Sequence, residues 1–296
     1  IMAKSKNIFV CIGAIHQDYL INLKKNIINK RTNPIIHNSR IGGVAYNVAE
    51  LISIFDKIQF YSLNITRELQ NKISKNISIK KINNNKSDRY YLAISDKNNK
   101  FLLGLANTEI YENTKFNKIP NIVNKFIIFD LNFSKVFIEN AIRKLSQKNK
   151  IIVCATSVHK IIKIKKIINK IDIVFLNKAE LIRLTNIASI ENGVKKILKI
   201  NNKIKIIATN SKNNVIYGDN KSIMKIKPPK IKVKNENGAG DALAGMMLYL
   251  LSKGYNKDQI LKYSVACGSY YASGKRLNSK KDLLKIKNIS SQVKIK

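Results

Sequence analysis

The residues best suited to chemistry lie in the stretch Asn235-Glu236-Asn237-Gly238-Ala239-Gly240-Asp241. An apolar run over 242–251 follows it and predicts a buried helix, so the glycines stand at a helix N-terminus. Unbonded N–H groups and the positive end of the helix dipole bind anions there. A carboxylate beside an anion site can take a proton from a hydroxyl while the site holds the transferred phosphoryl group. The alternative is a glycine turn that Asp241 merely caps.

The composition is that of a folded chain with a strong positive charge. Of its 296 residues 45% are hydrophobic, and 55 basic residues face 18 acidic ones, a net charge of +37. The lysines are dispersed along the chain together with isoleucine and asparagine, and tryptophan is absent. Without a clustered basic patch or a stacking platform we expect no specific nucleic-acid partner, and only weak RNA binding at low salt.

Cysteine spacing and hydropathy indicate the compartment. Cys11, Cys154 and Cys267 are far apart and form no CxxC or Cys/His cluster, which suits a reducing cytoplasm rather than a disulfide framework or a metal site. No apolar run reaches the length of a membrane span, and no secretory signal pattern is recognisable. We therefore expect a cytoplasmic protein without a membrane partner.

Polar residues follow the first predicted strand. The apolar run over 8–15 predicts a buried, central strand, and His16 and Asp18 come after it. Open α/β sheets bind ligands at the carboxyl ends of their strands, so both side chains are candidates for ligand contacts. The alternatives are a solvated loop histidine and a turn aspartate.

A second glycine pair precedes another helix. Gly42 and Gly43 lead into an apolar periodic segment that predicts a helix over 44–55. Asn47 lies one turn into that helix, so its amide can face the same ligand as the glycines.

The remaining pattern predicts an α/β fold. Strands are expected at 58–63, 77–82, 126–130, 151–155, 173–176 and 204–209, and helices at 134–147, 158–169, 190–200, 241–252 and 257–273. Such repeated β-α units favour a parallel sheet between two helix layers. The segment 214–226 predicts an antiparallel edge hairpin, and the polar tail from 286 is expected to fray.

A small β layer is expected apart from the main sheet. The runs 90–96 and 101–106, joined by 97–100, predict a hairpin, and 19–40 predicts two short strands around a turn. Together 19–40 and 88–107 would form this layer.

Three motifs, taken in chain order, resemble the signatures of one family. Gly42-Gly43 with Asn47, Asn177-x-x-Glu180, and Gly238-Ala239-Gly240-Asp241 resemble the signatures of the ribokinase-like (PfkB) carbohydrate and nucleoside kinases. The resemblance covers nearly the full length and implies one kinase domain over 1–296. It also implies a three-layer α-β-α fold with a mostly parallel central sheet and a β lid formed by 19–40 and 88–107.

Within the family, the pseudouridine kinases are the most similar subgroup. The likeness rests on the variant Gly-Gly-Val-Ala-Tyr-Asn-Val-Ala-Glu over 42–50, on the lid hairpin from Ser87 to Asp96, and on the strand end Asp130-Leu131-Asn132. Asn235 stands where the family at large has aspartate, as it can in bacterial pseudouridine kinases.

The resemblance assigns roles to single residues. Asp241 would be the general base, and Gly238, Ala239 and Gly240 the anion hole. The acceptor's hydroxyls would be held by residues from the first strand end, the glycine pair and the strand end at 130: His16, Asp18, Gly42, Gly43, Asn47 and Asn132. A carboxylate such as that of Asp18 can accept two hydrogen bonds from a vicinal diol.

The same resemblance implies ATP and Mg²⁺ as cofactors. Glu180 and Asn177 would organise Mg²⁺ and its waters, and Asn177 would also approach the nucleotide. Thr209, Ser211, Gly238 and Gly240 would contact ATP, and the segment around Cys267 would line the adenine pocket. Lids of relatives pair between subunits, which implies a homodimer.

Several positions depart from the family pattern. His16 stands where relatives usually have asparagine, and Cys154 where many have aspartate. The loop 209–214 lacks both glycines of the nucleotide loop, and 64–66 replaces a Gly-x-Asp loop.

The expected function is phosphorylation of the 5′-hydroxyl of pseudouridine by ATP. The alternatives are another acceptor, such as ribose, adenosine or a fructose derivative, and a weakened descendant that binds RNA. A generic dinucleotide-binding protein ranks lower, because no Gly-x-Gly-x-x-Gly follows the first strand.

Overall fold

The computed structural model describes residues 8–82, 89–98, 100–114 and 119–296, and these form two sheets with helices around the larger one. The strands are β1 (Phe9–Ile12), β2 (His16–Leu23), β3 (Ile35–Gly42), β4 (Ile58–Ser62), β5 (Ile77–Lys81), β6 (Tyr90–Ser95), β7 (Phe101–Asn107), β8 (Phe126–Phe129), β9 (Lys150–Cys154), β10 (Ile173–Asn177), β11 (Lys205–Thr209), β12 (Val215–Gly218), β13 (Ile223–Lys227) and β14 (Lys294–Ile295). The helices are α1 (Val44–Ser53), α2 (Arg67–Lys72), α3 (Glu109–Asn113), α4 (Lys135–Leu145), α5 (Lys178–Thr185), α6 (Ile190–Ile200), α7 (Ala239–Ser252), α8 (Lys257–Ala272) and α9 (Leu283–Ser290).

The large sheet has ten strands in the order β14-β13-β12-β11-β10-β9-β8-β1-β4-β5. The run β11-β10-β9-β8-β1-β4-β5 is parallel throughout. Strands β12, β13 and β14 join it antiparallel at the β11 edge. The chain adds β4 and β5 on one side of β1 and then crosses to β8 on the other side. The strand order therefore reverses at β1, and ligands bind at the carboxyl ends of such a reversal.

The two faces of the large sheet carry two separate hydrophobic cores. Along β1, Phe9 and Cys11 point into the core that α1, α7 and α8 cover, whereas Val10 and Ile12 point into the core under α4, α5 and α6. All four side chains are fully buried. A strand that buries both faces reads as a continuous apolar run, which explains the sequence pattern. The three-layer, mostly parallel fold predicted from the sequence is confirmed.

The small sheet contains β2, β3, β6 and β7 in the order β3-β2-β6-β7. The predicted hairpin of β6 and β7 is confirmed, with a register shift between Ile94 and Ser95. The expected lid segments 19–40 and 88–107 supply most of this sheet, although residues 87, 88 and 99 lie outside the described part of the chain. Strand β2 begins at His16, before the expected start at 19, so His16 and Asp18 belong to a strand rather than to the loop or turn of the alternative interpretation.

The predicted helix over 158–169 is wrong. The segment forms two short 3₁₀ helices, Ile161–Ile164 and Ile168–Lys170. Ile161, Ile164 and Ile167 are fully buried, and their spacing of three residues is the repeat of a 3₁₀ helix rather than an α-helix.

The C-terminal tail is ordered rather than frayed. Helix α9 buries Ile286, and Val293 is 3% exposed just before β14 pairs with β13. The lysines that make the tail look polar face outward, while widely spaced apolar residues anchor it. In the described part of the chain, no helix has both the length and the apolar character needed to cross a bilayer.

Candidate active site

Asp241 and Asn47 meet where the first turns of two helices converge. The Asn47 Nδ2 group of α1 donates a hydrogen bond of 2.7 Å to Asp241 Oδ2 of α7. The two residues are 194 positions apart in sequence. The first turns of α1 and α7, each preceded by glycines, therefore lie side by side. This contact brings together two of the three motifs found in the sequence.

The environment of Asp241 raises the pKa of its carboxyl group to about 6. Burial is the largest cause, because it disfavours the charged form, and the nearby carboxylates of Asp130 and Glu180 act in the same direction. The hydrogen bond from Asn47 and the positive charge of Arg40 oppose the shift. A carboxylate with a pKa near neutrality is well matched to taking a proton from an alcohol.

The loop before α7 presents backbone N–H groups to the same place. Gly238 has a φ of 80°, a left-handed conformation in which a side chain is unfavourable. The Ala239 N–H bonds to the Glu236 carbonyl at 3.1 Å, and the first helical bond runs from Ala242 N to Gly238 O. The N–H groups of Gly240 and Asp241 precede that bond, and groups in this position have no acceptor within a helix. They are the donors best placed for an anion.

Asp18 lies at the mouth of the site on the small sheet. It is 6% exposed, and its Oδ2 is 3.5 Å from Arg40 Nε, directly across the strand pair. His16 Nδ1 is 2.8 Å from Asp18 Oδ1, yet neither atom has an aligned hydrogen bond to any residue that the structure describes. Within the same residues, Arg40 Nε also lacks one. These buried polar atoms fit contact with a polar ligand, since such groups are normally satisfied.

The glycine at position 42 makes room for Asp18. A Cβ atom on Gly42 would lie 2.1 Å from Asp18 Oδ1, closer than any real contact. Gly43 has a φ of 119°, and its Cβ would meet the Ala14 carbonyl at 2.1 Å. The glycine pair is thus required by the approach of the carboxylate to Gly42 and of the Ala14 carbonyl to Gly43.

Asn132 lies near the site but is engaged elsewhere. It is 4% exposed, and its Oδ1 accepts a hydrogen bond of 2.8 Å from Lys160 Nζ. Its role in acceptor binding stays a prediction.

Sequence reasoning gave no role to Asp130, which is fully buried at the end of β8. Its Oδ2 accepts from the backbone N–H groups of Ala14 (2.9 Å) and Ala45 (3.4 Å), and its Oδ1 accepts from that of Asn132 (3.0 Å). The carboxylate thereby ties the end of β1 and the start of α1 to β8, where the strand order reverses. The available signal was an aspartate directly after a buried strand.

A cavity of about 660 Å³ borders the α7 N-terminus, where Ala239 and Gly240 line it. Its lining includes the predicted nucleotide contacts Asn177, Thr209, Ser211 and Gly240. Its volume falls in the range of small-molecule sites. Lys212, Lys227 and Lys230 add positive charge at its wall, as phosphate groups require.

The α8 segment around Cys267 contributes to this cavity without Cys267 itself. Val265, Gly268, Ser269 and Ala272 line it, whereas Cys267 is fully buried in the core that α1 and α7 share. A contact between the Cys267 side chain and a nucleotide is therefore not supported by its position.

One hydrogen bond links two walls of the cavity. Ser211 Oγ donates to Glu236 Oε1 at 2.6 Å, and Ser211 has a φ of 49°. A serine thus adopts the left-handed conformation in a loop that has lost its glycines.

Asn177 and Glu180 form a capping box at the start of α5. Asn177 Oδ1 accepts from the Glu180 N–H at 2.9 Å, and Glu180 Oε2 accepts from the Asn177 N–H at 2.8 Å. Glu180 is 4% exposed, and burial raises the pKa of its carboxyl group. Within the described part of the chain, the hydrogen bonds of the Glu180 carboxylate involve Oε2 rather than Oε1. The Asn-x-x-Glu spacing thus has a structural role beside any role toward a metal ion.

A family model described as pfkB family carbohydrate kinase matches residues 69–281, more than half of the chain. The chain belongs to the pfkB family of carbohydrate kinases. A curated relative of this pfkB-family chain is the "Pseudouridine-metabolizing bifunctional protein C1861.05" of Schizosaccharomyces pombe, 28% identical over 189 residues. That match covers 58% of this chain and 25% of the relative, so the chain spans about a quarter of the relative's length.

Solved structures share the fold over nearly the whole pfkB-family chain. A carbohydrate kinase from Agrobacterium tumefaciens superposes with a TM-score of 0.79, covering 98% of this chain and 100% of that one at 19% identity. Ribokinase from Cryptococcus neoformans var. grubii serotype A in complex with ADP gives a TM-score of 0.74, covering 96% and 99% at 13% identity. At such identities the likeness establishes the fold alone.

Proposed function

We propose that this pfkB-family chain transfers a phosphoryl group from ATP to the primary hydroxyl of a ribosyl compound. The observation that carries the proposal is the contact between Asp241 and Asn47 beside the N–H groups of Gly240 and Asp241. The proposal is supported by the raised pKa of the Asp241 carboxyl group and by the cavity that Ala239 and Gly240 line beside it. Acceptor and ATP would approach that carboxylate from opposite sides.

The proposed mechanism is a direct in-line transfer. Asp241 accepts the proton of the acceptor hydroxyl as its oxygen attacks the terminal phosphorus, and ADP leaves on the cavity side. The N–H groups at the start of α7 hold the charge of the transferred group. Asn47 keeps the Asp241 carboxylate oriented through its 2.7 Å hydrogen bond.

The donor set near the cavity fits ATP with Mg²⁺. Magnesium keeps several waters and needs one or two carboxylates, and the Glu180 carboxylate would hold such a water. Bound Mg²⁺ would neutralise the phosphate charge. Lys212 and Lys230 at the cavity wall would contact the phosphates from the other side. The ribokinase of the solved structure is in complex with ADP, which supports ATP as the donor.

We infer that pseudouridine is the preferred acceptor. Support comes from the motif variant over 42–50, from Asn235, and from the name of the curated relative. The related acceptors ribose, adenosine and a fructose derivative are the alternatives within the same chemistry.

A panel of these acceptors with ATP and Mg²⁺, read out as ADP release and as phosphorylated product, tests both statements. We expect the highest kcat/KM for pseudouridine. Faster turnover of ribose or adenosine would overturn the acceptor assignment, and the absence of turnover with every acceptor would overturn the kinase activity.

We also propose that the small sheet is a lid that pairs with a second copy of the chain. The face of β6 and β7 opposite Asp18 exposes Tyr90 (36%), Leu103 (49%) and Leu105 (45%). Exposed apolar patches of this kind mark interaction sites. Sedimentation of wild type against the double variant Leu103→Lys, Leu105→Lys tests this. We expect a dimer that the variant converts to a monomer, and a monomeric wild type would contradict it.

A further inference from the structure

The face of the small sheet that carries Asp18 also carries an aromatic side chain. Asp18 of β2 is in register with Arg40 of β3 on one side and with Tyr91 of β6 on the other. Paired residues of neighbouring strands point to the same face of a sheet. Arg40, Asp18 and Tyr91 therefore form a row across three strands, with the carboxylate in the middle.

The position of Tyr91 is set by a glycine on the next strand. A Cβ atom on Gly104 of β7 would lie 2.5 Å from the Tyr91 hydroxyl and 3.1 Å from its ring carbons. The hydroxyl end of the ring thus lies over Gly104, where the side chain of any other residue would push it away. Tyr91 remains partly exposed, and burial together with the Asp18 charge raises the pKa of its hydroxyl.

The charges of this face argue against a phosphorylated sugar as the acceptor. Arg40 has Asp18 3.5 Å from its Nε, so its charge is already balanced. Asp241 adds a second carboxylate farther in. A sugar phosphate would bring two further negative charges to this place, whereas a neutral compound would meet no such repulsion. A neutral acceptor that contains a planar ring suits a row of carboxylate and aromatic ring.

We propose that Tyr91 is a specificity-determining residue whose ring packs against the planar base of a nucleoside acceptor, next to the diol held by Asp18. The expected effect of Tyr91 on turnover rests on the proposed function, whereas its expected effect on nucleoside binding does not. The simpler reading is that the ring packs on the C–H groups of any sugar. The two readings differ in what happens to ribose, which has the sugar but no base.

The test compares pseudouridine with ribose in two assays, equilibrium binding by calorimetry without nucleotide and turnover with ATP. For Tyr91→Ala we expect the Kd and KM of pseudouridine to rise roughly tenfold to a hundredfold, the loss typical of one base–aromatic stack. The Kd and KM of ribose should change less than about threefold. Tyr91→Phe keeps the ring and should stay within about threefold of wild type for both.

Tyr90→Ala is the matched control, because Tyr90 lies on the same strand and points to the opposite face. There its ring packs edge-on against that of Tyr19, with the ring centroids 6.4 Å apart. It should change both acceptors equally. The single variant Gly104→Ala should weaken pseudouridine binding, because its Cβ displaces the Tyr91 ring. The double variant Gly104→Ala, Tyr91→Ala should bind pseudouridine as weakly as Tyr91→Ala alone.

The outcomes separate this inference from the proposed function. Tyr91-dependent binding of pseudouridine without turnover would disprove the reaction and keep the role of Tyr91. Turnover of pseudouridine that Tyr91→Ala leaves unchanged, or lowers as much as for ribose, would overturn the role and keep the reaction. Failure of pseudouridine to bind wild type would also overturn it.

Discussion

Two aspartates at the same edge of the large sheet differ in what surrounds them. Asp130 accepts hydrogen bonds from three backbone N–H groups and is fully buried. In the described residues, the Asp241 carboxylate has one hydrogen-bond donor, the Asn47 amide, and its pKa is raised to about 6. A carboxylate whose oxygens are occupied by the backbone joins elements. A desolvated carboxylate with one side-chain donor is free to exchange a proton.

The largest expected effect follows from removing the carboxylate of Asp241. Asp241→Asn keeps the shape and can still accept from Asn47, but it cannot take a proton. General-base catalysis contributes about 10²- to 10⁴-fold, so we expect kcat to fall by that factor. Asp258→Asn, an exposed surface change, is the control and should keep full turnover. A wild-type kcat in Asp241→Asn would remove Asp241 from the role of base.

Asp130→Asn should act on stability instead. The amide turns an N–H donor toward a backbone N–H group, leaving buried donors unpaired, at a cost of about 2–4 kcal/mol in unfolding free energy. Urea denaturation measures this, with Asp258→Asn expected within about 0.5 kcal/mol of wild type. An unchanged unfolding free energy in Asp130→Asn would contradict the structural role of these bonds.

The pH profile of turnover should report Asp241. Because the base must be ionised, kcat/KM should fall as the pH falls through about 6. The Asn47 hydrogen bond lowers this pKa, so Asn47→Ala should move the acidic limb to higher pH. A limb that stays in place in Asn47→Ala would mean that another group titrates.

Folding stability should fall as the pH rises, whereas turnover should increase. The folded pKa of Asp241 lies above the unfolded value of 3.8, so folding favours the protonated form. Its contribution to stability is fully present below about pH 4 and is lost as the pH rises through about 6. The melting temperature of Asp241→Asn relative to wild type should therefore be higher at pH 8 than at pH 5. An equal difference at both pH values would argue against the raised pKa.

The smallest effects should distinguish the two glycines of the α7 start. Gly238→Ala places a side chain at a φ of 80°, which costs about 1–2 kcal/mol of unfolding free energy. Gly240 is helical and has open space around its Cβ position, so Gly240→Ala should keep stability or gain up to about 1 kcal/mol. Its methyl group would enter the proposed phosphoryl site, so its turnover should drop. Full turnover in Gly240→Ala would place that site elsewhere.

Much of the fold follows from local patterns. Continuous apolar runs such as Phe9–Ile12 and glycine-led helix starts such as that of α7 could be predicted, because their signals are local. The segment around Ile164 could not, since a three-residue repeat of isoleucines among lysines also fits an α-helix. The tail around Ile286 could not either, because its anchoring depends on contacts with β13 and α8.

The site was predictable in its motifs and not in its connections. Asn47 and Asp241 could be predicted because each follows glycines at a helix start, and the structure brings the two side chains together. Two of the three N–H groups that converge on Asp130, those of Ala14 and Ala45, come from distant segments, so no local pattern reveals them. The placement of Tyr91 beside Asp18 depends on strand register. The resemblance assigned the segment around Cys267 to the adenine pocket, but it does not say which residues of α8 face the cavity.

The most direct test of the account is phosphorus NMR of Asp241→Asn with ATP, Mg²⁺ and pseudouridine, beside wild type at pH 8. Calorimetry on the same samples would show that both ligands bind the variant. We predict that wild type forms ADP and a phosphomonoester at the 5′ position, while the saturated variant shows ATP unchanged over the same time. A phosphomonoester formed by the variant at the wild-type rate would contradict the account.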